Sequence, residues 1–597
     1  MKKKYVLPLI FIGVFILLII PARFLWSEQE SFEPPNEKSP IKHDVNVVSL
    51  QKDKARYKPG SDISFQAFLS DKPEHAIDMK VEFFHLGEKI HEKIIQVSEK
   101  NFKWKWTPPK EDFQGYLVKV SPLHNQDSFQ SIAVDVSSSW GKFPRYGFLS
   151  SFSKMEKRKQ SSIINKLNRY HINGIQFYDW LDEYHIPLKT KEDSPLQSWN
   201  NIANQHVEFK TVKTYIDLAH QKNMNAMSYN LINATLADAK NDGVKPEWYL
   251  YRDEQQENID THNLPDNWKS NIYLTNPANG AWQNYIFNNQ KTAFKHLPFD
   301  GWHIDQLGNR GKVYDYGGKR IQLPNTYKSF IQNAKRSFQE KDLVMNAVNQ
   351  YGQEQIAQSS VPFLYTELWD PTRTYTGLEN VIKENNSFSK GEKNTVIAGY
   401  MNNKKSDGNG KFNTPGILFT DALLFAQGGA HIELGEHMLS KDYFPHHTLN
   451  MGDELTESLK HYYDFMVAYE NLLRDGLQEA PLTVSTSNWV RLSDRPEKGK
   501  VYAFAKKDDG KKVIHLINYF DARHMNWRDE KGTQQEPSMK RDLTLYINEP
   551  KEVQNVWVAS PDWNKGLPMK LEFKQEDGEV QVNVPKIKYW DMLVFEY

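Results

Sequence analysis

The chain has 597 residues, too many for one hydrophobic core and enough for roughly three or four domains of ordinary size. Its 75 basic and 75 acidic side chains cancel, which excludes the field that recruits nucleic acid and leaves a neutral polymer or small molecule as the easier partner. The absence of cysteine excludes disulfides, thiolate metal sites and a cysteine nucleophile, and suits an exported protein as well as a cytosolic one.

Lys2, Lys3 and Lys4 precede an apolar run from Tyr5 to Ile20, the charge asymmetry of an export signal whose N-terminus stays inside. No small-x-small cleavage site follows, so residues 1–26 read as a signal peptide or an uncleaved membrane anchor, with Phe24 to Trp26 completing a span at the interface. Residues 27–42, rich in Glu, Ser and Pro, read as a linker. Over residues 43–138, short alternating segments such as Ile63–Leu69, Met79–Leu86 and Ile132–Val136, with turn signals between them, predict a small β-sandwich that carries no titratable cluster.

Residues 139–476 repeat strand, loop and helix. Strands are expected at 146–152, 174–180, 225–231, 301–305, 343–348, 363–368, 395–400 and 430–433, and helices at 157–170, 207–222, 281–296, 327–341, 377–388 and 415–427. Eight strands with alternating helices predict closure as a (β/α)₈ barrel. A doubly wound open sheet is the alternative, but it would carry a phosphate-binding glycine turn after its first strand, and Leu149-Ser150-Ser151-Phe152 has none. The long polar segment 233–271 reads either as an active-site insert or as surface decoration. Residues 477–597 return to β texture, with a hairpin signal at Asp508-Asp509-Gly510, and predict a second all-β domain.

In a barrel, chemistry lies where strands end, and there the polar residues collect. Tyr178, Asp179 and Trp180 end the second strand, Tyr229 and Asn230 the third, His303, Asp305 and Gln306 the fourth. Asn346 ends the fifth, Glu367, Trp369 and Asp370 the sixth, Tyr400 and Asn402 the seventh, and Glu433 the eighth. A carboxylate such as Asp305 at the end of a buried strand is either a structural acceptor or a reacting group. Carboxylates for acid and nucleophile, amides for hydroxyls and aromatic faces for pyranose rings together describe a sugar site. No metal or cofactor is expected, because no histidine pair has ligand spacing on one helix.

The segments 170–180 (YHINGIQFYDW), 300–308 (DGWHIDQLG) and 365–369 (YTELW) resemble the motifs of glycoside hydrolase family 66, the endo-dextranases and cycloisomaltooligosaccharide glucanotransferases. The resemblance implies an immunoglobulin-like domain, a catalytic barrel and a C-terminal Greek-key β domain. It also implies Asp305 as nucleophile and Glu367 as acid/base of a retaining mechanism on α-1,6-linked glucan (dextran). Asp179, Tyr178 and Asn346 are then candidates for holding hydroxyls of the reacting glucose, and Trp180, Trp369 and Tyr400 for stacking. Family members that make cyclic products carry a large carbohydrate-binding insertion for which this chain has no room, which favours a hydrolase. Cyclising transfer, and a surface glycan-binding protein without catalysis, stand as alternatives. Product length and oligomeric state are left open.

Overall fold

The computed structural model describes residues 45–442 and 445–597. The expected signal or anchor and the linker lie outside the described residues; among those described, no helix is long and apolar enough to cross a membrane.

Residues 47–136 form two antiparallel sheets. One holds Val47–Lys52, Ile63–Leu69 and Asn101–Trp106; the other holds Glu88–Val97, Ile77–His85, Gln114–Pro122 and Gln130–Val136. Ile63–Leu69 buries every second residue, as a strand with one wet face must. The inward residues meet between the sheets, where Phe83 stacks on Trp106 at 4.4 Å. The edge strand Val47–Lys52 escapes prediction because its register shifts between Val47 and Ser49, a bulge that breaks the period of two.

Eight parallel strands follow. Tyr146–Leu149, Gly174–Phe177, Asn225–Leu231, Gly301–Asp305 and Asp342–Met345 pair side by side in chain order. Leu364–Glu367, Thr395–Ala398 and Ala430–Ile432 form a second parallel sheet. Parallel bridges Asn346↔Tyr365 and Phe148↔Gly435 link the outer strands of one sheet to those of the other. Gly301 is required where it stands: a Cβ there would lie 2.1 Å from the Asp342 carbonyl of the neighbouring strand.

A helix follows each strand. Lys157–Arg169 buries Gln160, Ile164, Leu167 and Asn168, one stripe at helical spacing. Gly280–His296 starts at Asn279, whose side chain accepts from the N–H groups of Ala281 and Trp282. Gln353–Ala357, between the fifth and sixth strands, is too short to leave a periodic trace. Thr414–Ala426 is buried on nearly every side, because the C-terminal region covers its outer face: Phe419 stacks on Tyr519 at 5.3 Å, and the Thr420 hydroxyl donates to the Trp527 carbonyl at 2.7 Å.

Residues 478–597 form a seven-stranded and a four-stranded sheet. Val501–Lys507 and Lys511–Asn518 pair around the Asp508–Gly510 turn, in agreement with the hairpin signal. Residues 519–539 leave these sheets and reach back to the loop after the sixth central strand, where Asn526 bridges Thr374. On the opposite flank the fully buried Arg145 pairs with Asp135 and, at 3.1 Å, with Glu470, and donates to the carbonyls of Phe143 and His171. Such a buried ion cluster, in which Glu470 Oε1 has no hydrogen-bond partner among the described residues, fixes the position of the first central strand more than it adds net stability.

Candidate active site

Asp305 is the last residue of the Gly301–Asp305 strand, and Glu367 the last of Leu364–Glu367. Asn346, one residue past the strand between them, joins the two. Its amide nitrogen donates to Asp305 Oδ1 at 2.8 Å and to Glu367 Oε2 at 3.0 Å, while its oxygen accepts from the Glu367 backbone N–H at 3.1 Å. The two carboxylate oxygens are therefore no further apart than those two bonds laid end to end.

Each carboxylate has two further donors. Asp305 accepts from the Tyr229 hydroxyl at 2.6 Å and the Gln306 N–H at 2.8 Å. Glu367 Oε1 accepts from the Tyr400 hydroxyl at 2.8 Å and the Trp369 indole N–H at 2.9 Å. Burial raises both carboxyls above the ordinary range, and the charge on Asp305 adds to the rise on Glu367, which reaches about 7. Asp305 thus ionises first and Glu367 keeps its proton towards neutral pH. His303, buried below them, is pushed down to about 3 by desolvation; it is neutral, with its Nδ1 against the Tyr146 hydroxyl at 3.2 Å.

The pair faces a cavity of about 220 Å³. Of the residues expected from sequence, Tyr178, Tyr229, His303, Gln306, Asn346, Trp369 and Tyr400 line it with Asp305 and Glu367. Gln306 also fixes the site locally, since its amide donates to the Asn346 carbonyl at 3.2 Å and accepts from Gly308 N–H.

Asp179, Trp180, Asn230, Asn402 and Glu433 are not among the residues that line the cavity. Asp179 is buried behind Tyr184, whose hydroxyl reaches its carboxyl at 3.3 Å, and desolvation lifts it to about 7. Trp180 is a core residue, packed against Trp199 and Phe299. Asn230 follows the inward Tyr229 and so points the other way, donating to the Tyr184 carbonyl at 2.8 Å. Asn402 adopts a positive φ of 55° and bonds the Asp529 carbonyl and Asn413 N–H. Glu433 turns from the cavity to Tyr463, whose hydroxyl lies 3.0 Å away, while its neighbour Ile432 lines the wall.

Sequence reasoning missed Tyr184, Asp442 and the insert residues His262, Leu264 and Trp268, all of which line the cavity. The length of the insert was the available signal; nothing singled out its members. It also missed Arg528, from the C-terminal excursion, which donates to the Leu368 carbonyl and lies 4.9 Å from the Trp369 ring. Next to it, Trp527 donates to the Thr372 carbonyl at 2.8 Å, and the Arg528 carbonyl accepts from Asn402 N–H at 2.9 Å. The excursion is thereby wedged between the two loops that carry Trp369 and Tyr400, the two donors to Glu367 Oε1.

The model of glycosyl hydrolase family 66 matches residues 52–594. The chain belongs to glycosyl hydrolase family 66. Among family 66 relatives, a cycloisomaltooligosaccharide glucanotransferase from Niallia circulans is 26% identical over 98% of this chain and 75% of its own length. A dextranase from Streptococcus salivarius is 27% identical over 80% of this chain and 67% of its own. The crystal structure of a Paenibacillus sp. cycloisomaltooligosaccharide glucanotransferase with cycloisomaltoheptaose superposes with a TM-score of 0.87, covering 92% of this chain and 99% of that one at 23% identity. The family 66 chain is thus a glycoside hydrolase in fold and lineage, and the Asp305–Asn346–Glu367 cluster lies within the matched region.

Proposed function

We propose that this chain is a retaining, endo-acting glycoside hydrolase that cleaves α-1,6-glucosidic bonds of dextran to isomaltooligosaccharides, with Asp305 as nucleophile and Glu367 as acid/base. The observation that carries the reading is the single Asn346 amide held between the two carboxylates, because a retaining pair needs a separation of about 5 to 5.5 Å and an inverting pair a wider one. Asp305 attacks the anomeric carbon; the C1–O bond breaks towards the leaving oxygen, which takes the proton of Glu367. The Glu367 carboxylate then removes a proton from water as that water displaces Asp305.

The eight-strand order with bridges at both pairs of sheet edges supports closure as a (β/α)₈ barrel over residues 139–476, flanked by an immunoglobulin-like region (43–138) and a Greek-key region (477–597). Trp369 and Tyr400 stack on one another at 4.8 Å and spend their polar atoms on Glu367, so sugar stacking falls to the insert, where Trp268 lines the cavity. A polymer of this kind is met outside the cell, and the Tyr5–Ile20 run serves export or anchoring. The similarity to glucanotransferases favours transfer to a sugar hydroxyl as the second reading, since the same covalent intermediate serves both.

Proton NMR of the first products is expected to show the α-anomer, with early loss of polymer size on gel filtration. An initial β-anomer overturns retention, glucose release from undiminished polymer overturns the endo mode, and dominant cyclic products select the second reading. Trp369→Phe keeps the ring on Tyr400 but removes one of the bonds that lower the Glu367 pKa. Glu367 then stays protonated to higher pH, so the alkaline limb of kcat/KM moves up while the rate falls about tenfold. An unmoved limb removes Trp369 from the control of Glu367.

A further inference from the structure

Outside the catalytic cavity, three ligand-type side chains from two loops converge. Glu183 and His185 flank Tyr184 in the segment after the Gly174–Phe177 strand, and Asp242 ends the short Ala239–Asp242 turn of the insert. His185 Nε2 lies 3.2 Å from Asp242 Oδ2 and 3.4 Å from Glu183 Oε2, and the three atoms all lie within 4.8 Å of one another. His185 is fully buried and Glu183 is 7% exposed. Glu183 Oε2 is buried with no hydrogen-bond partner among the described residues, although it is aimed into the cluster. A proton on His185 Nε2 serves one carboxylate and leaves the other unsatisfied, whereas a cation between them serves all three.

We propose that Glu183, His185 and Asp242 bind a divalent first-row cation, zinc or manganese. Contacts of 3.2 and 3.4 Å suit neighbouring ligands around one ion with bonds of about 2.0 to 2.2 Å. One imidazole with two carboxylates favours these ions over calcium, which takes oxygen alone. Glu183 Oε1 accepts from Lys189 Nζ at 2.5 Å, the outer-shell bond that orients a ligating carboxylate. The Asp242 side chain is 29% exposed, which leaves an entry path and room for water ligands. The expectation of no metal rested on histidine pairs; this site uses one histidine and a carboxylate 57 residues further on.

The consequence reaches the glucan cleft. Tyr184, between two of the ligands, lines the cavity, as do Leu264 and Trp268 of the same insert as Asp242. The ion would pin the loop to the insert behind that wall.

The test uses the full chain, stripped with a chelator and titrated with ZnCl₂ or MnCl₂ by calorimetry, with metal content and Tm measured in parallel. One equivalent bound with a raised Tm is expected. His185→Gln and Asp242→Asn should each weaken binding at least about tenfold. Asp242 lies at the rim, so Asp242→Asn decides the matter if His185→Gln does not fold. No uptake by the wild type, or unweakened binding by Asp242→Asn, overturns the site. No readout involves glycoside cleavage, so the outcome is independent of the proposed activity.

Discussion

Asp305→Asn and Glu367→Gln are each expected to lower kcat/KM on dextran by at least about a thousandfold, with the folded structure retained. Both swaps are close to isosteric and keep an oxygen to accept from the surrounding donors, so what is lost is the charge that attacks C1 in one case and the transferable proton in the other. Stability should move the opposite way from activity. The Glu367 pKa is raised by burial to about 7, so the folded state binds a proton more tightly than the unfolded one. Its contribution is therefore complete below the unfolded pKa of about 4.5 and is lost as pH rises through about 7. Glu367→Gln abolishes this loss, and its Tm relative to wild type should climb as pH is raised across that window. Activity of either variant within about tenfold of wild type, a barrier change of about 1.4 kcal/mol, would remove that residue from the chemistry.

That Asp305 and Glu367, the proposed catalytic pair, end their strands was legible because both obey strand arithmetic. Asn225–Leu231 and Gly301–Asp305 have the limits expected from sequence, since each is a run flanked by loop residues and buried nearly throughout. The same arithmetic explains the failure at Asn230: Tyr229 faces the cavity, so its neighbour cannot. Trp180 and Asn402 lie beyond their strands, in loops where period two no longer governs direction. Arg528 reaches the site from 160 residues away, and nothing in its local sequence signals that. The edge strand was missed because its bulge breaks the period of two, and the helix because five residues are too few to show a helical one.

Asn346→Leu tests the feature that sets the pair's geometry, and its expected signature is a displaced pH profile as well as a lower rate. The Asn346 amide lowers the pKa of both carboxyls, because it donates to the charged form of each. Without it Asp305 protonates more readily, so the acid limb of kcat/KM moves to higher pH. Glu367 likewise holds its proton longer, so the alkaline limb moves the same way. The bell should travel upward as a whole while its maximum falls about a hundredfold, or about 2.7 kcal/mol of barrier, because the carboxylates lose their common tether and the Glu367 N–H loses its acceptor. Asn346→Asp supplies the same shape without an N–H and must fail to restore the rate. A rate drop with both limbs unmoved would mean that Asn346 holds only substrate and not the pair.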